Sequence, residues 1–129
     1  MGKGFKELLV WQKARDLAVE IYQITHQGQF KQDFGLRDQI RRSAISVPSN
    51  IAEGDERNTD KDAIRFFYMA KGSLAELRTQ MDIACSINYI SEEIFQDFDQ
   101  KAILIGKMLG SLIKARSTTH SLSPIAHNP

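Results

Sequence analysis

The chain has one cysteine, Cys85, so no internal disulfide is available, and a reducing cytoplasm is the expected setting. It also lacks long apolar runs. A membrane span needs about 20 consecutive apolar residues, and no stretch approaches that. Near the start, Leu8-Leu9-Val10-Trp11 is broken by Gln12 and Lys13, which is too short for the core of a signal peptide. Gly2 has no serine or threonine placed for a myristoylation signal. No membrane partner is expected. Charge of one sign is missing as well: the formal net charge is +1. No global field draws the protein onto nucleic acid, so any such contact depends on local clusters of Lys and Arg.

Signatures of catalysis are equally scarce. A di-iron bundle needs Glu-x-x-His pairs, and no glutamate here has a histidine three residues on. His26, His120 and His127 fall at a helix end and in the tail, where solvated side chains are expected. Gly-x-Ser-x-Gly, phosphate-loop and dinucleotide fingerprints are absent. Cys85 reads as a small core residue. The expectation is a non-enzyme with no catalytic residues, no metal and no cofactor.

What is present is helical periodicity. At 129 residues, 42% hydrophobic and 26% charged, the chain is sized and composed as one globular domain. The first helix is predicted from Leu8 to His26, with Val10, Ala14, Leu17, Ile21 and Ile24 on one face and Gly28 ending it. A loop follows, with Phe30 and Phe34 expected against the bundle end. The second helix is predicted from about Gly35, with Gly54 as its C′ residue. Thr59 is the predicted N-cap of a third helix reaching Ile87, with Asp62 at the capping-box position and a seam of Phe67, Ala70, Leu74, Leu77, Met81 and Ala84. Ser91 should cap a fourth, with Phe95, Phe98, Ala102, Ile105, Leu109 and Leu112 as its seam. Short connections imply antiparallel neighbours. The expected fold is all-α, an up-down-up-down four-helix bundle over residues 1–116, with a disordered tail over residues 117–129.

The second helix carries more than a seam requires. On a wheel of ~100° per residue, Leu36, Ile40, Ala44, Val47 and Ile51 occupy an arc of ~80°, which Ile45, Pro48 and Ala52 widen to ~180°. On the third helix, Tyr68, Met69, Ile83 and Ile87 lie off the seam. These two surpluses predict contact between copies of the chain, through Ile45, Pro48, Ala52, Tyr68, Met69, Ile83 and Ile87. Pro48 removes one backbone donor and should kink the helix. Ser43, Ser46, Ser49, Asn50 and Glu53 form its polar face. Ser46, Pro48, Ser49, Asn50, Glu53 and Gly54 are read as a motif that shapes the kink, or as small polar groups that meet a ligand. Arg41 lies within the apolar arc and should have a carboxylate partner, Glu76 or Glu53. Arg37, Arg41, Arg42, Lys61 and Arg65, with Lys71 and Arg78 nearby, are the candidates for phosphate contact.

The stretch Arg41-Arg-Ser-Ala-Ile-Ser-Val-Pro-Ser-Asn-Ile-Ala-Glu-Gly54 resembles the signature of four-helix-bundle proteins encoded by intervening sequences in bacterial 23S ribosomal RNA genes. Arg65-Phe-Phe-Tyr-Met-Ala-Lys-Gly-Ser-Leu-Ala-Glu-Leu77 and Phe5-Lys-Glu-Leu-Leu-Val-Trp-Gln-Lys-Ala14 are similar to the same family. The likeness spans about residues 5–115. It implies a left-handed up-down-up-down bundle that assembles as a homopentamer. It also implies kinship with the basic pentameric accessory protein of diversity-generating retroelements, from which this nearly neutral chain departs. The function implied is non-enzymatic, with RNA or a ribonucleoprotein as partner. The competing expectation is a protein-interaction scaffold with no nucleic-acid role.

Overall fold

The computed structural model describes the backbone of residues 4–121 and the side chains of residues 4–117. A 3-10 turn, Gly4–Glu7, leads into four helices: α1 Leu9–Thr25, α2 Phe34–Asp55, α3 Asp60–Ser86 and α4 Glu92–Ser121. No strand occurs among the described residues. None of these helices is long and apolar enough to cross a membrane.

Local chemistry sets the boundaries. Gly28, at φ +60°, turns the chain after α1 in a conformation that L side chains rarely adopt. Asp33 caps α2 by accepting from the Leu36 N–H at 3.1 Å, and Thr59 caps α3 by accepting from the Asp62 N–H at 3.1 Å. Ser91 accepts from the Ile94 N–H at the start of α4.

Each helix packs on its sequence neighbour, and α4 closes on α1; the diagonal pairs stay apart. Side-chain links fix the directions. Tyr89, beyond the end of α3, donates to Asp33, before the start of α2, at 2.8 Å. Arg116, late in α4, pairs with Asp55 at the end of α2 and with Asp60 at the start of α3. A Cβ on Gly4, before α1, would lie 3.7 Å from Glu56, just after α2. Consecutive helices therefore run antiparallel.

The main core cluster draws on all four helices, with Phe30, Ile21, Ile40, Ile51, Met81, Phe98 and Leu109 fully buried, and a smaller cluster of Ala63, Phe67 and Ile113 joins α3 to α4. Each such side chain contributes about 1.5–3 kcal/mol by leaving water. The predicted α3 seam is buried at every position, and so are the central positions of the α4 seam.

Four expectations need correction. Gly54 is not a C′ residue: α2 continues to Asp55, and Gly54 is buried where the ring of Phe67 crosses it. Phe34 is not tucked in: it is 60% exposed, whereas Phe30 is fully buried edge-on to Tyr89. Ser43 does not share the polar face but is buried in the bundle. Finally, α4 does not end near Arg116 but runs to Ser121. The expected tail from Ser117 thus begins inside this helix, and its residues 122–129 lie outside those described.

Candidate functional site

The surfaces of interest lie on α2 and its two flanks. Pro48 sits inside α2, which continues through it without interruption. It is buried and at the same time borders the groove between α1 and α2. Asn50 donates from Nδ2 to the backbone oxygen of Ser46 at 2.9 Å and contacts the Ser46 hydroxyl at 3.0 Å. That hydroxyl meets Ser73 Oγ of α3 at 2.9 Å. Ser46, braced by Asn50 of the same helix, therefore joins α2 to α3. Ser49 and Glu53 stay exposed, and Glu53 pairs with Arg57.

On the other flank, α1 and α2 enclose an open groove of about 480 Å³. Trp11, Val19, Tyr22, Ile45, Pro48 and Ala52 are among its walls, and its lining is mostly apolar. At its end a second concavity, bordered by Val19, Tyr22, Gln23, His26 and Gln27, holds Arg41. Arg41 lacks the expected carboxylate: neither Glu76 nor Glu53 reaches it. Its Nε donates to Thr25 Oγ1 at 2.9 Å, and its guanidinium lies over the Tyr22 ring, 4.5 Å from the centroid. Thr25 is fully buried and donates in turn to the Ile21 carbonyl at 2.7 Å. A neutral hydroxyl and a ring face thus hold a half-buried cation in one orientation.

The candidate phosphate-contacting residues do not form one patch. Arg37 and Arg41 lie in the first half of α2. Lys61 and Arg65 lie at the opposite end, around a concavity of about 640 Å³ beside the α2–α3 connection. Three of the five are already engaged. Arg37 pairs with Asp38 and lies over Phe34; Arg65 pairs with Asp62 and, with Arg57, flanks Phe66; Arg41 is held by Thr25 and Tyr22. Arg42 and Lys61 are exposed, with no side-chain partner among the described residues.

The outward face of α3 is the second apolar surface. Tyr68, Met69, Ile83 and Ile87 are exposed, as expected. Glu76 stands among them, exposed and with no ion-pair partner among the described residues. Sequence reasoning passed over Trp11, Val19 and Tyr22 as parts of a surface. Their signal was the presence of large apolar residues off the α1 seam.

Elsewhere the polar chemistry is structural. Arg78 is bonded twice to Asp99, at 2.8 and 3.0 Å, tying α3 to α4. Cys85 donates to Glu92 at 3.3 Å; partial burial, and then that carboxylate, push its thiol above the ordinary value. A thiol held protonated is a poor nucleophile. Among the described residues no cluster of His, Cys, Asp and Glu has the makings of a metal site.

A family model described as 23S rRNA-intervening sequence protein matches residues 6–111. Among solved structures, the chain is similar to a protein of unknown function from the S23 ribosomal protein family of Bacteroides thetaiotaomicron. The two are 28% identical, with a TM-score of 0.76 over 82% of this chain and 99% of that one. No curated protein matches the chain.

Proposed function

The chain belongs to the 23S rRNA-intervening sequence protein family, and from that premise we propose that it is a non-enzymatic, self-assembling bundle of the bacterial cytoplasm. Its assembly, a homopentamer by family likeness, presents basic side chains to RNA or a ribonucleoprotein. One observation carries this reading. Besides single exposed side chains such as Leu9, Ile94, Ile103 and Leu104, the described residues leave apolar groups uncovered on two different flanks, the α1–α2 groove and the outward face of α3. Large exposed apolar patches on a folded domain mark interaction sites. Two unlike patches on one protomer suit head-to-tail contacts that close into a ring, whereas a two-fold dimer uses one self-complementary patch.

Assembly also changes the electrostatics. Arg42 and Lys61 amount to little on one nearly neutral protomer. Repeated around a ring, they become a periodic array of phosphate-sized contacts. Binding to a structured RNA across a salt series tests this. Affinity that falls linearly with log salt supports phosphate contact, and no binding at low salt removes the RNA half of the proposal.

A second reading has its own support. Arg37, Arg41 and Arg65 are occupied within the protomer. A protein-interaction scaffold with no nucleic-acid role uses the same assembly and leaves those arginines structural. An assembled protein that binds no RNA would select it.

A further inference from the structure

We infer that the α1–α2 groove receives the outward face of α3 from a second copy of this chain, and that Glu76 of that copy is the counter-ion of Arg41. The inference rests on the assembly proposed above and names the mating surfaces. Its basis is an incomplete ion site beside an apolar groove. A guanidinium has five N–H donors in a planar fork suited to a carboxylate. At Arg41, Nε is taken by Thr25 and one face by Tyr22, and no carboxylate completes the pair among the described residues. Anchored by a buried hydroxyl and stacked on a ring, the group is oriented before any anion arrives, which lowers the entropic cost of binding one.

The same chain offers a matching surface. Along α3, Met69, Gly72, Glu76 and Ile83 recur at helical spacing on the exposed side, so one carboxylate stands in an otherwise apolar or small-residue stripe. Along α2, Arg41, Ile45 and Pro48 border the groove or the concavity at its end, and Phe34 continues the same helix side under the Arg37 guanidinium, whose charge Asp38 already pairs. In a protomer α2 and α3 are antiparallel. A ring that closes about an axis along the bundle keeps helix directions, so α2 meets the next α3 antiparallel. With Arg41 set against Glu76, Pro48 at i+7 faces Met69 at i−7, and Phe34 at i−7 faces Ile83 at i+7. Ile45 at i+4 faces Gly72 at i−4, where a Cβ would have nothing within 4 Å in the protomer. Charge meets charge, apolar meets apolar, and the bulky Ile45 meets the smallest residue.

The test is a charge swap read by light scattering across protein concentration, with far-UV circular dichroism confirming that each variant is folded. Glu76 is exposed and makes no hydrogen bond or ion pair among the described residues, so Glu76→Arg is expected to leave the bundle intact. Glu76→Arg and Arg41→Glu are each expected to raise the half-assembly concentration by about tenfold or more, and the double variant should recover most of that loss. Three results would overturn the inference. One is an assembled wild type whose mass ignores Glu76→Arg; another is a double variant no better than the singles. In both, the wild type still assembles and only the pairing fails. A wild type that is monomeric at micromolar concentration removes the assembly itself.

Discussion

A methyl group placed on Gly54 would lie 2.6 Å from Cε1 of Phe67 and 3.0 Å from the carbonyl of Ala63. At this crossing α2 and α3 approach too closely for a Cβ. Phe67 is itself fully buried, so the ring has nowhere to retreat.

Gly54→Ala should therefore destabilise the bundle by about 1–3 kcal/mol through overpacking, even though alanine is the better helix former. Gly110→Ala, at a position on α4 with nothing within 4 Å, should instead stabilise by about 0.5–1 kcal/mol. Urea denaturation of the two variants gives the contrast. Equal shifts in midpoint would show that the Gly54 contact is not tight.

Pro48 is buried and also borders the groove. Pro48→Ala restores one helical N–H donor but removes ring atoms from the groove wall. Assembly should weaken more than the fold does. Light scattering paired with thermal unfolding separates the two effects. Unchanged mass together with unchanged stability would make the proline incidental.

Tyr89 and Asp33 predict a pH dependence at both ends of the scale. The hydrogen bond from Tyr89, followed by the Leu36 N–H, holds the Asp33 carboxyl below its ordinary value. A depressed carboxylate gives stability that is present above its unfolded value, near pH 4, and is lost as pH falls through the folded one. The same bond, aided by burial, raises Tyr89. That stability is present below the unfolded tyrosine value, near pH 10, and is lost as pH rises through the folded one. Tyr89→Phe should flatten both limbs of a stability–pH curve, and limbs unchanged from wild type would contradict the assignment.

Among the candidate phosphate contacts, the free cations should matter most. Arg42→Ala and Lys61→Ala are each expected to weaken RNA binding and to reduce the salt slope by about 1. Arg37→Ala, which removes a side chain already tied to Asp38 and Phe34, should leave the slope nearly unchanged. Filter binding at several salt concentrations checks the ordering.

The fold was legible because its seams repeat. Phe67, Ala70, Leu74, Leu77, Met81 and Ala84 recur at intervals of three and four, and all are buried. Thr59 and Ser91 announced their helices because capping is local chemistry. Long-range facts were not legible. Gly54 looked like a helix terminator because the ring that demands it lies on the next helix. Arg41 suggested a carboxylate because charge is the obvious partner, whereas its actual partners, Thr25 and Tyr22, are a neutral hydroxyl and a ring. The excess apolar width of α2 and α3 was visible in the pattern, but the α1 contribution to the groove needed Trp11, Val19 and Tyr22 placed in space.

The mass of the protein in solution tests the account most directly. Multi-angle light scattering at micromolar concentration should return a multiple of the 14.6 kDa protomer, five-fold if the family likeness holds to the level of assembly. A mass of one protomer across that concentration range would contradict the central claim.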